Sequence, residues 1–193
     1  RVYVGGTANG IQAYFDIVKQ KLHIYMKGRL MKEQAQWRQE GGCSCGQIRY
    51  AITAPPMFVH CCHCHWCQRE TGSAFALNAM IESSHVEVIT GTPEVIMTPS
   101  ESGKGQIIHR CPTCRMAVWS HYAGAGEAVA FVRVGTLDNP ECAPPDIHIY
   151  TDSKQPWVII PPGASQHRGY YKPREEWPES SQKRFMALKN REK

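Results

Sequence analysis

Seven of the nine cysteines fall into three tight groups: Cys43-Ser44-Cys45, Cys62-His63-Cys64-His65-Trp66-Cys67 and Cys111-Pro112-Thr113-Cys114. A Cys-x-Cys or Cys-x-x-Cys turn presents two sulfurs on one side of a knuckle. Two such knuckles from distant parts of a chain complete the tetrahedral thiolate shell that zinc takes in structural sites. Cys43/Cys45 and Cys111/Cys114 supply two knuckles. The 65 residues between them (46–110) far exceed the ~15–20 of a zinc ribbon, so the pattern implies a larger fold stapled at its base. The middle group offers three thiolates from one segment, and three protein ligands plus one exchangeable position is the pattern of a catalytic zinc. Spacing alone leaves the partition open. Cys61 can pair with Cys64, and His60, His63 or His65 can supply a fourth ligand and close the site. Cys61 and Cys142 are read as buried or incidental thiols.

A disulfide reading is disfavoured on two grounds. A bridge across Cys43-Ser44-Cys45 is strained by the Cα separation and torsion that disulfides require. The first residues show no charged-then-apolar signal pattern, so a cytoplasmic setting is expected, where thiols stay reduced. An organelle-targeting role for the first 32 residues is the alternative: they hold few acids, but also no serine. No apolar run approaches the ~20 residues of a membrane helix.

These groups need a scaffold, and the chain supplies one made mostly of short strands. Residues 11–30 carry apolar side chains at Ile11, Phe15, Val18, Leu22 and Met26, a helical spacing, so residues 1–40 are read as a basic N-terminal extension, helical or flexible. Gly41-Gly42 is taken as the boundary. Beyond it, alternating branched and aromatic residues predict strands over 47–52, 57–60, 74–81, 86–90, 94–97, 106–110, 128–134 and 146–150, separated by Gly/Pro turns. Residues 41–160 thus read as a mainly β domain with no long helix. Residues 161–193 read as a proline- and aromatic-rich strap with a charged, helical tail.

The net charge of +5 sits in the flanks: +4 over residues 1–40, +4 over 168–193 and −3 between them. A nucleic-acid-binding zinc module carries its positive charge on the module itself, so this distribution argues against nucleic acid as the partner.

The segments Gly42-Cys43-Ser44-Cys45-Gly46, Cys62 through Arg69 with Thr71-Gly72-Ser73, and Cys111-Pro112-Thr113-Cys114 resemble the glutathione-dependent formaldehyde-activating enzyme family, which also includes centromere protein V. Gly135-Thr136-Leu137-Asp138 and the stretch from His148 to Trp157 resemble its C-terminal half. The resemblance covers about residues 41–160. It implies a compact zinc-stapled fold of two coiled antiparallel sheets, like methionine-R-sulfoxide reductase and translationally controlled tumour protein. It implies two zinc ions per chain: a structural one on Cys43, Cys45, Cys111 and Cys114, and a catalytic one on Cys62, Cys64 and Cys67. It further implies an S-(hydroxymethyl)glutathione synthase-like activity, a carbon–sulfur lyase in the reverse sense. The extra Cys61 and the long leader depart from the family pattern.

The chemistry the residues allow is thiol activation. A glutathione-like thiol is expected to take the fourth position beside Cys62, Cys64 and Cys67, lose its proton, and add to a small aldehyde to give a hemithioacetal. Three thiolates outweigh Zn²⁺ by one charge, which favours a nucleophilic thiolate over activation of water. Arg69 is a candidate partner for a substrate carboxylate. His63 and His65 are candidate proton donors, against a second reading as hydrogen-bonding neighbours of the cysteines. Ser73 is a minor candidate contact. Phe75, Trp119 and Trp157 read as core aromatics, and His148 as structural. Two other classes compete: a non-catalytic zinc-stabilised binding module of the centromere protein V type, and a redox protein built on Cys111/Cys114.

Overall fold

The computed structural model describes residues 19–20 and 37–191. The chain divides into Arg1–Trp37 and Arg38–Lys193, and the architecture below is that of the second unit. The helix read over 11–30 lies outside the described residues.

Among the described residues, ten strands form two sheets. The smaller has the order β1-β2-β5, from β1 (Gln39–Gly42), β2 (Arg49–Ile52) and β5 (Val86–Thr90), all antiparallel. The larger has seven strands in the order β10-β3-β4-β9-β8-β7-β6. These are β3 (Phe58–Cys62), β4 (Ala76–Glu82), β6 (Glu94–Thr98), β7 (Gln106–Arg110), β8 (Ala117–Tyr122), β9 (Val129–Arg133) and β10 (Ile147–Ile149). A short helix, α1 (His65–Thr71), separates β3 from β4. The mainly β expectation holds, with one correction. The larger sheet is not purely antiparallel, because β10 pairs in parallel with β3. Its approach from β9 runs through two short 3-10 turns (Val134–Thr136 and Pro140–Cys142), a connection long enough to bring the strand in from the same end.

Gly41-Gly42 lies inside β1 rather than in a linker. A Cβ on Gly41 would sit 2.5 Å from the Thr136 carbonyl oxygen and 2.9 Å from the Tyr50 hydroxyl, so glycine is what lets β1 close over that corner. Tyr50 beneath it is fully buried. Its hydroxyl bonds Thr136 Oγ1 at 2.6 Å, and its ring meets Trp119 edge-on at 5.6 Å.

Strand alternation gives β3 two functional faces. Phe58, His60 and Cys62 share one side; Val59 and Cys61 share the other. The first side belongs to a core cluster with Met80, Phe131, Ile147 and Ile149. The C-terminal segment completes that cluster. It contains α2 (Pro173–Glu176) and α3 (Glu179–Arg191), and it lends Tyr171 and Trp177 to the same core, with Phe185 packed against it.

An ion pair anchors α3. Arg184 donates through Nε at 2.8 Å and Nη2 at 2.5 Å to the two oxygens of Glu82 on β4, and through Nη1 at 2.9 Å to the Pro55 carbonyl. Burial alone would raise the Glu82 pKa, but the arginine holds it below the usual carboxylate range. Arg184→Ala strands that buried carboxylate, and a loss of about 2 kcal/mol is expected in urea unfolding. The sign follows from the depressed pKa. The contribution is fully present above the ordinary carboxylate range, near pH ~4.3, and is lost as pH falls through the folded-state value. The gap between wild type and variant should therefore narrow in acid. Among the described residues, no helix is long and apolar enough to cross a membrane.

Candidate metal centres and the adjoining cavity

Cys43 and Cys45 follow β1, and Cys111 and Cys114 sit on the turn between β7 and β8. The fold brings all four sulfurs within 4.8 Å of one another. Cys43 Sγ lies 3.4 Å from Cys45 Sγ, which lies 3.6 Å from Cys111 Sγ. A zinc–sulfur distance near 2.3 Å sets a tetrahedral edge of about 3.8 Å, so the donor set matches a zinc shell. Both knuckles aim backbone amides at sulfur: Ile48 N–H reaches Cys43 at 3.3 Å and Cys114 N–H reaches Cys111 at 3.5 Å. Gly46 and Arg115, one past each knuckle, hold the positive φ that the tight turns need (77° and 63°).

Cys62, Cys64 and Cys67 form a second group with sulfurs within 4.8 Å of one another, all buried. Cys62 ends β3. Cys64 caps α1 and accepts the Cys67 N–H at 3.4 Å. Sequence periodicity gives no helix here, because seven residues are too few for an apolar repeat to show. The three thiols share charge unequally. Hydrogen bonds from Cys62 and Cys67 push Cys64 down to about 3, while bonding to Cys64 and Cys67 and burial push Cys62 up.

The histidines beside these cysteines go elsewhere. His65 is exposed. His63 turns to the opposite face of β3, where its Nε2 lies 3.5 Å from Cys61 Sγ and 3.0 Å from His148 Nδ1, and its ring stacks on His148 at 5.3 Å. Cys61, His63 and His148 thus make a third buried donor group. Motif spacing does not connect these three residues, although strand parity already puts Cys61 opposite Cys62. His60 shares the Cys62 side and bonds the Tyr171 hydroxyl at 2.7 Å, and desolvation lowers its pKa to about 4. Among the described residues, the middle cysteine group contains no fourth protein donor.

Cys62, Cys64 and Cys67 form part of the wall of a cavity of about 520 Å³. Aromatic rings dominate its interior: Trp66, Tyr122, Phe131, Tyr150, Tyr170 and Trp177. Glu101, Lys104 and Lys189 are its charged residues. Tyr150 takes a left-handed backbone (φ 56°), uncommon for a bulky residue. Its N–H bonds Gly169 O at 3.0 Å, and its carbonyl accepts from Ser153 Oγ at 3.0 Å, which holds the ring on the cavity wall. Two buried polar atoms on cavity residues have no hydrogen-bond partner: His60 Nδ1 and Gln106 Oε1.

Arg69 is exposed and does not line the cavity, and neither does Ser73. Trp119 is buried in the core, whereas Trp157 is 73% exposed, a correction to its reading as a core aromatic. Phe75 packs edge-on against His63 at 5.5 Å. The residue that sequence reasoning passes over is Arg133. It ends β9 and is 6% exposed, and it donates to Asn78 Oδ1. Hydrogen bonding with Cys62 lowers the Cys67 thiol, but bonding with Cys64 and burial outweigh it and push the thiol up to about 12, with the Arg133 charge acting in the lowering direction. A buried guanidinium needs a countercharge, and thiolates in the middle cysteine group would provide one. With a zinc ion in this group, three thiolates, Zn²⁺ and Arg133 would sum to zero, offsetting the net −1 of the metal shell.

Comparisons with known proteins identify the family. The family model for glutathione-dependent formaldehyde-activating enzyme matches residues 38–153, more than half of the chain. A curated relative from Halomonas elongata that carries the same family name is 24% identical over 132 residues, covering 63% of this chain and 80% of that protein. A crystal structure of a Rhodobacter sphaeroides protein aligns with a TM-score of 0.39 at 19% identity, covering 53% of this chain and 92% of that one; a superposition that loose supports no statement about the fold. On the family match, the chain belongs to the glutathione-dependent formaldehyde-activating enzymes.

Proposed function

We propose that the protein activates a glutathione-like thiol for reversible addition to an aldehyde, a carbon–sulfur lyase reaction in the reverse sense. In this reading Cys62, Cys64 and Cys67 hold a catalytic zinc, and Cys43, Cys45, Cys111 and Cys114 hold a structural one. The observation that carries it is the placement of three buried thiols, without a fourth protein donor among the described residues, on the wall of an apolar cavity. When bound there, zinc supplies the charge that keeps a thiol deprotonated near neutral pH.

The chain's own residues account for the rest. The positive charge of Arg133 opposes that of the thiolates. The aromatic wall excludes water and so protects an adduct that water would otherwise compete for. Trp177 Nε1–H donates to the Tyr171 hydroxyl at 2.6 Å. The Tyr171 proton is then available to His60 Nε2, which leaves the proton of neutral His60 on the unpartnered Nδ1.

The test is calorimetric titration of the zinc-loaded protein with glutathione. Binding heat is expected, and it should vanish when a chelator strips the more labile zinc while the other remains. No heat with the fully loaded protein overturns the thiol-site reading.

A further inference from the structure

Formaldehyde has two heavy atoms. The hydroxymethyl group it would add to a thiol takes up little more than one water's share of volume, about 30 Å³. The cavity beside the three thiols is about 520 Å³. Apolar space of that size with few polar partners does not hold ordered water well, and its dimensions and lining are those of a small-molecule site. Much of the aromatic surface comes from beyond the family match at 38–153: Tyr170, Trp177 and Phe185 lie in the C-terminal segment. Tyr170 stacks on Tyr171 at 5.0 Å and Phe185 meets Trp177 edge-on at 5.3 Å, so these rings form one connected wall. Arg184 fixes the helix that bears Phe185 to β4.

From these features we propose that the carbonyl substrate is an aldehyde with a large apolar substituent, aryl or medium-chain alkyl, which fills the aromatic cavity while the aldehyde carbon meets the thiolate. The inference rests on the reading that a thiol reaches Cys62, Cys64 and Cys67. The step balances without any oxidant. The sulfur lone pair forms the S–C bond, the C=O π pair moves to oxygen, and that oxygen takes up the proton the thiol gave up. Lys104 and Lys189 supply positive charge for the anionic thiol partner.

The test uses two thioethers that mimic the adducts, S-benzylglutathione and S-methylglutathione, titrated into the zinc-loaded full chain. S-benzylglutathione should bind at least tenfold more tightly. Tyr170→Ala and Phe185→Ala should each cut that preference at least threefold. Tyr170 is 55% exposed, so its variant should stay folded even if the Phe185 variant does not. Equal affinities, tighter binding of the methyl compound, or binding of neither overturns the proposal. Glutathione titrated into Cys64→Ser separates the two readings. If the benzyl preference persists but glutathione affinity is indifferent to Cys64, the thiol-site reading fails and the cavity assignment stands. If glutathione needs Cys64 but the benzyl preference is absent, the reverse holds.

Discussion

Cys43→Ser is expected to abolish the cooperative folded state at 25 °C. Cys43 is buried, accepts the Ile48 amide, and lies in contact with Cys45. Its knuckle and that of Cys111 come from opposite ends of a 65-residue segment (46–110), and a metal held between them would close that segment at its base. Structural zinc contributes about 10–16 kcal/mol in small zinc-folded peptides, whereas whole domains are stable by only about 5–15 kcal/mol. A serine oxygen is a poor replacement for a thiolate on zinc. Loss of sigmoidal thermal unfolding by circular dichroism, together with loss of bound zinc, is the expected result. A variant that melts like the parent would show that the four-cysteine group is not a structural centre.

Cys64→Ser is expected to leave the chain folded, with one zinc fewer, and to lower glutathione affinity at least a hundredfold. The β core of Ile48, Tyr50, Ile52, Val118 and Val132 does not depend on this group. Cys64 lies at the start of α1, and serine is itself a favoured cap, so local structure should survive. Zinc per chain by elemental analysis, with the melting curve and a glutathione titration, checks all three parts. Equal loss of fold in Cys43→Ser and Cys64→Ser would contradict the division of labour between the centres.

The cysteines of two donor groups are marked by their short, local spacing, as metal shells impose, but spacing leaves their partition open, and the third group, Cys61, His63 and His148, is joined only by the fold. Strands β4, β5, β6 and β7 are equally legible from alternation. Other features depend on tertiary pairing. Strand β8, Ala117–Tyr122, follows directly on the Cys114 knuckle and carries serine and histidine among its apolar residues; its partners β7 and β9 decide its state. Strand β1 begins at Gln39 and ends on two glycines, which read as a break in isolation and as close packing against Thr136 in the fold. Arg133 closes an otherwise apolar strand, where a charge reads as a strand end until the sheet buries it against Asn78. The cavity is invisible in the sequence because its wall is assembled from β3, β4, β9 and the C-terminal segment. The proline and aromatic content of that segment announces an extended strap but not what it covers.

The most direct measurement of the central asymmetry is the sulfur coordination of zinc by X-ray absorption, before and after adding glutathione to the two-zinc protein. One saturated centre and one three-thiolate centre average about 3.5 sulfurs per zinc. This value should rise to about 4 when the thiol binds, with loss of the light-atom scatterer. An average that starts at 4, or one that does not move at saturating thiol, would contradict it.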